Sequence, residues 1–370
     1  MRARDLTKLA DIEQKAMDGQ PLDFADGMLL FDEHTDLEWV AEIADHLRDR
    51  LHGDRVYYNV NAHINPTNYC RLRCPLCAFS CDLDTAKGYL LDDAEILARA
   101  KNAAEQHASE IHIVSGIHPK KPYSWYRHIL EIIHANYPAL QLKAWTAVEI
   151  ATFAEETGRS VADVLRDLIS VGLSGLPGGG AEIFDPAVRY KIAPKKISAE
   201  HWLHVHRTAH EIGLSTNATM LFGHIEKQAH RVDHLLRLRD LQAESIRKNC
   251  KGRFEAFVPL LFHPSGTQFS DLPTLPTAER LRTVAVSRIL LNNIPHIKAY
   301  WVSLGIETAK IALRFGANDF DGTVREERIH HDAGAKTPTG LNAAQLRQFI
   351  LDAKRTPIER DSHYSVFAEK

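Results

Sequence analysis

From Val56 to about residue 320, short apolar runs rich in β-branched residues alternate with amphipathic segments, and nothing else in the chain restricts its fold as strongly. Runs at 56–64, 110–115, 141–146, 173–176, 214–221, 254–260 and 296–302 read as strands, with an eighth candidate at 319–322. Helix signals lie between them. Asp92 stands as an N-cap with Glu95 three residues on, and Val161, Val164, Leu165, Leu168 and Ile169 form one stripe. Strands separated by helices join through crossovers, which makes the sheet parallel. Eight such units close a ring, so the expected fold is α/β, a complete (β/α)8 barrel. Before residue 54 there is no strand candidate, and Leu37, Val40, Ala41, Ala44 and Leu47 fall on one helical face. The expected organisation is a helical extension over 1–53, then a barrel with a C-terminal extension over 54–370.

With 44% apolar and 25% charged residues, 370 residues can bury a large core without disulfides. A formal charge of -3 gives no sign of a nucleic-acid surface, and the pairs Lys120-Lys121 and Lys195-Lys196 read as solvated faces. The first 23 residues lack an apolar signal region, and no run of about 18 apolar residues occurs. A soluble, cytoplasmic protein is expected. Four of the five cysteines lie between Cys70 and Cys81, whereas a disulfide framework would spread them across a small fold. Metal or cluster binding in a reducing compartment is the better reading.

In a βα barrel the chemistry sits at the C-terminal ends of the strands. The first strand runs out into His63-Ile-Asn-Pro-Thr-Asn-Tyr-Cys70-Arg-Leu-Arg-Cys74-Pro-Leu-Cys77, a C-x3-C-x2-C spacing. A cubane cluster held by protein alone takes four thiolates. Three leave one iron open, and an open position admits a small molecule such as S-adenosylmethionine (SAM). Zinc is the alternative, but zinc sites usually pair two close ligands with a second, distant pair, and the only remote cysteine is Cys250. Cys81, three residues beyond the set, is expected not to be a ligand.

Further segments extend the pattern: Asn65-Pro-Thr-Asn-Tyr-Cys70, Cys77-Ala-Phe-Ser, Gly178-Gly-Gly-Ala-Glu182, Thr216-Asn-Ala-Thr-Met220 with Gly223-His-Ile-Glu226, and His296-Ile-Lys-Ala-Tyr-Trp301. With Asp321-Gly-Thr-Val and Glu359-Arg-Asp, the chain from about residue 57 to 364 resembles the aminodeoxyfutalosine synthase family of menaquinone biosynthesis, in the radical SAM superfamily. The resemblance implies a 4Fe-4S cluster on Cys70, Cys74 and Cys77, with SAM consumed as a cosubstrate. It also implies a reaction in which the 5'-deoxyadenosyl radical adds to 3-[(1-carboxyvinyl)oxy]benzoate, with rearrangement and decarboxylation to 6-amino-6-deoxyfutalosine. A one-electron donor such as flavodoxin or ferredoxin is then required, no nucleic acid or membrane is involved, and a homodimer is a compatible assembly. Two positions depart from the superfamily pattern. Leu76 stands where an aromatic residue usually precedes the third cysteine, and the glycine pair after the second strand is Ser115-Gly116. Rival readings are a dehypoxanthine futalosine cyclase, a deazaflavin-cofactor synthase and, from another class, a non-catalytic metal-binding module.

A substrate with two carboxylates needs cations or donors in a dry site, because an unpaired buried charge is costly. His63, His118, Arg189 and Lys298 are candidates, with His118 and Arg189 preferred as the catalytic pair; each could also be a surface ion pair or a satisfied core residue. His263 and His296 read as structural. For the cofactor, Ser115, Gly116, Gly178, Gly179 and Gly180 offer close backbone approach, and Glu149, Glu182 and Asn217 offer polar contacts. Their bland alternatives are turns and helix-terminal carboxylates.

Overall fold

The computed structural model describes residues 3–367. Three helices, Ala3–Met17, Phe24–Phe31 and Leu37–His52, precede the first strand. Asp23 and Asp36 cap the second and third by accepting from backbone N–H groups in the first turn. The third lies along helix Thr277–Leu290, on the outside of the sheet.

The strands are β1 (Arg55–Asn59), β2 (Asn61–Ile64), β3 (Glu110–Ile113), β4 (Gln141–Ala144), β5 (Leu173–Gly175), β6 (Thr216–Phe222), β7 (Phe254–Leu261), β8 (His296–Ile297), β9 (Asp319–Gly322) and β10 (Thr356–Glu359). All ladders are parallel. β2 to β5 pair in succession, as do β6 to β8. The bridges Leu176 to Thr216 and Lys298 to Asp319 join these groups, and β9 pairs with β1, so the ring closes over eight positions as expected. β1 and β2 together are the first strand, split at Val60: its first half pairs outward with β9 and β10, its second half with β3. The expected strand over 296–302 is shorter than the sequence pattern suggests, because a helical turn, Trp301–Leu304, begins where it was to continue.

β10 is absent from the sequence reading. It contains Pro357, which cannot donate to a ladder, and accordingly it sits at an edge, with β1 as its only strand partner among the described residues. The chain after it passes beneath the ring. Arg360 forms an ion pair of 2.7 Å with Asp319, and both side chains are essentially inaccessible. Ser362 Oγ donates to Glu110 at 2.6 Å, Lys143 lies 3.4 Å from the same carboxylate, and Tyr364 stacks on His296 with centroids 3.5 Å apart. The base of the barrel is therefore closed by paired charges rather than by hydrocarbon.

Alternation along the strands follows from the helices outside. In β3, Ile111 and Ile113 are fully buried, while Glu110 and His112 line the interior cavity. Among the described residues no helix is long and apolar enough to cross a membrane.

Candidate active site

The barrel opens at the C-terminal ends of its strands into a cavity of about 300 Å³. One wall is the loop after β2. Its course is set by side-chain bonds to backbone: Asn65 Nδ2 donates to Val114 O at 3.0 Å, Thr67 Oγ1 to Tyr89 O at 2.6 Å, and Asn68 Nδ2 to Lys87 O at 3.0 Å. Arg73, between the first two cysteines, adopts a left-handed backbone and bonds Ser80 O. Cys70, Cys74 and Cys77 all line the cavity; Cys81 does not. Cys81 instead closes the base of the loop through its backbone, donating to Asn68 O and accepting from Cys70 N. Burial pushes the Cys74 thiol up to about 11, so it keeps its proton until a metal displaces it.

Two glycine positions let other segments approach this wall. A Cβ on Gly116 would lie 2.3 Å from Tyr69 O and 3.1 Å from Cys70 Cβ, so only glycine lets the end of β3 pass behind the first cysteine. A Cβ on Gly178 would lie 2.7 Å from Thr219 N. The carbonyls of Gly178, Gly179 and Gly180 are taken from behind by Thr219 Oγ1, Trp202 Nε1 and Arg189. Their amides have no acceptor among the described residues, and all three glycines border the cavity.

Residues 64–238 match the radical SAM superfamily, and residues 251–369 match the CofH/MqnC C-terminal region. The chain is 42% identical to the aminodeoxyfutalosine synthase of Thermus thermophilus, with 96% of this chain and 95% of that protein covered. It is 41% identical to the aminodeoxyfutalosine synthase of Streptomyces coelicolor, with 97% and 94% covered. The chain belongs to the aminodeoxyfutalosine synthase family. A 5-amino-6-(D-ribitylamino)uracil--L-tyrosine 4-hydroxyphenyl transferase of Methanothermobacter thermautotrophicus is 35% identical, with 97% of each chain covered. The crystal structure of methylornithine synthase shares the fold, with a TM-score of 0.74 at 16% identity over 94% of this chain and 97% of that one.

For a member of this synthase family, the expected residues are placed unevenly. Ser115, Gly116, Glu149, Gly178, Gly179, Gly180, Glu182 and Asn217 all border the cavity. Glu149 is also a helix cap: it accepts from Ser115 N at 2.9 Å and Thr146 N at 2.6 Å, and burial still raises its carboxyl to about 7. Glu182 has a left-handed backbone and pairs with Lys196; burial pushes its carboxyl up, but the lysine outweighs this and holds it below the usual range. The Asn217 side-chain oxygen is buried without a donor.

Neither member of the preferred catalytic pair lies on the cavity wall. Arg189 is buried and off the cavity wall, and its guanidinium donates to Gly180 O at 2.9 Å, Ile197 O at 2.8 Å and the carbonyls of Ala181 and Ile183. Through these bonds to carbonyls it braces the glycine turn. His118 also lies off the wall; it packs edge-on against Tyr69 and accepts from Lys120 N at 3.0 Å. His63 and Lys298 do reach the cavity. His296 is structural, accepting from Asn318 at 2.8 Å, whereas His263 donates to Ser303 O and also faces the cavity. The sequence reading missed Glu110, His112, Lys196, Tyr300, Asp321, Glu327 and His330 on the wall.

Proposed function

We propose that the chain adds the 5'-deoxyadenosyl group of SAM to 3-[(1-carboxyvinyl)oxy]benzoate, with rearrangement and decarboxylation to 6-amino-6-deoxyfutalosine in menaquinone biosynthesis. The observation that carries this reading is likeness to two aminodeoxyfutalosine synthases across nearly the whole of both chains. Cys70, Cys74 and Cys77 would hold a 4Fe-4S cluster, which with three protein thiolates would leave one iron for SAM and supply one-electron reduction of its sulfonium. Their common exposure to one cavity, with Cys81 turned away, suits a three-ligand set.

The free amides of Gly178, Gly179 and Gly180 suit the SAM carboxylate, and Glu182 and Asn217 are placed to receive its ammonium or ribose hydroxyls. Leu72, Leu76, Leu260 and Phe262 give the cavity apolar walls that exclude water from a reactive carbon centre. Leu76 thereby makes an aliphatic contact where an aromatic one is usual. The electron comes from a carrier such as flavodoxin or ferredoxin in the cytoplasm.

Incubating reduced enzyme and SAM separately with the carboxyvinyl-oxybenzoate and with dehypoxanthine futalosine tests the reading. An adenosyl adduct from the benzoate alone is expected; turnover of the nucleoside alone would assign the cyclase reaction instead.

A further inference from the structure

The part of the cavity wall formed by β2 and β3, beside the cysteine loop, holds two imidazoles with no hydrogen-bond partner among the described residues. His63 and His112 are register partners on β2 and β3, with rings parallel to within 3° and centroids 4.6 Å apart. Both border the cavity, and neither has a hydrogen-bond partner among the described residues. Burial holds His63 down to about 3 and His112 down to about 4, so both rings are uncharged near neutrality. Each neutral ring offers one N–H.

The cations around this wall are already engaged. Lys298 lies 3.1 Å from Asp321, Lys196 pairs with Glu182, and behind the wall Lys143 lies 3.4 Å from Glu110. His331 lies 2.9 Å from Glu327. A carboxylate reaching this wall therefore meets neutral donors more readily than a spare cation. That matters for a group that leaves. When carbon dioxide departs, the bonding pair and its charge pass to the carbon skeleton, so a cation fixed on the carboxylate would stabilise the reactant more than the transition state. Neutral N–H donors hold the carboxylate less strongly and so oppose its loss less.

We infer that His63 and His112 together form the seat for the substrate carboxylate that is lost as carbon dioxide. This rests on the function proposed above. The second carboxylate, on the ring, is retained and lies elsewhere in the cavity.

The test is binding without turnover, by anaerobic calorimetry on the cluster-loaded, unreduced enzyme with SAM. Three ligands are compared: the full dicarboxylate, 3-(vinyloxy)benzoate, which lacks the departing carboxylate, and 2-phenoxyacrylate, which lacks the ring carboxylate. In the wild type, deleting the departing carboxylate should weaken binding roughly tenfold or more, as expected for lost bonds to a charged group. In H63F and H112F, which keep a flat ring but no N–H, that deletion should cost less than about threefold. Deleting the ring carboxylate should cost the same in all three proteins. H63M and H112M serve the same purpose if phenylalanine does not fit, and cluster content equal to wild type qualifies a variant. Variants that discriminate the vinyl analogue as the wild type does, or that lose discrimination of the ring carboxylate instead, would overturn the seat alone. A wild type that binds none of the ligands would overturn the functional reading and the seat with it.

Discussion

At the scale of residues, the chain separates four closely spaced cysteines by which of them border the cavity. Cys70, Cys74 and Cys77 border the cavity, and Cys81 is 1% exposed with its backbone spent on the loop. Alanine at any of the first three should abolish the cluster, whereas Cys81→Ala should reconstitute with wild-type iron and sulfide, read by metal analysis and by EPR after reduction. A second residue-scale prediction concerns Glu327 and His331. Burial pushes the Glu327 carboxyl up, but its bond to His331 and the neighbouring imidazoles outweigh this and hold it at about 2; the same bond raises His331 to about 9. The His331 contribution to stability is complete below its ordinary value of 6.5 and is lost as pH rises through about 9. The Glu327 contribution is complete above 4.5 and is lost as pH falls through about 2. Thermal melts of H331Q should therefore lack part of the wild-type decline between pH 6.5 and 9. Parallel curves for the two proteins would remove the pair from the account.

At the scale of elements, the glycine at the end of β3 is what lets the cysteine loop close over the strand. Gly116→Ala should force that loop outward at a cost of about 1–3 kcal/mol of overpacking. Iron content after reconstitution should fall well below wild type while far-UV circular dichroism is unchanged; full iron content would show that the loop yields freely. The same scale explains what was legible beforehand. Strand-helix alternation revealed the eight strands of the ring because most of them carry apolar residues between amphipathic helices. Glu110, His112 and Lys143 escaped notice because polar residues alternating with apolar ones in β3 and β4 look like a solvated sheet face. In a barrel clothed in helices the polar face points inward, so that alternation was the signal for the missed wall. The carbonyls that Arg189 bonds come from segments folded against its helix, so its sequence neighbours gave no sign of them. β10 was hidden by Pro357 and by its brevity.

At the scale of the whole molecule, the chain end is a fastening. Arg360 reaches back to Asp319 on β9, and Ser362 to Glu110 on β3, so the last described residues tie together strands from opposite ends of the sequence. Removing Arg360 leaves the Asp319 carboxylate buried without its partner. Arg360→Met should cost about 3–5 kcal/mol in a urea titration, and adding Asp319→Asn should recover much of it. A single variant as stable as the wild type would contradict a fastening role. The barrel thus carries paired charges at its base and, around the cavity, ion pairs beside neutral imidazoles, three glycines and three cysteines. The direct measurement is the fate of the adenosyl group when reduced, cluster-loaded enzyme turns over isotopically labelled SAM with the carboxyvinyl-oxybenzoate. The label should appear in the adduct, with carbon dioxide released in equal amount; label recovered mainly as free 5'-deoxyadenosine beside a hydrogen-abstracted substrate would contradict it.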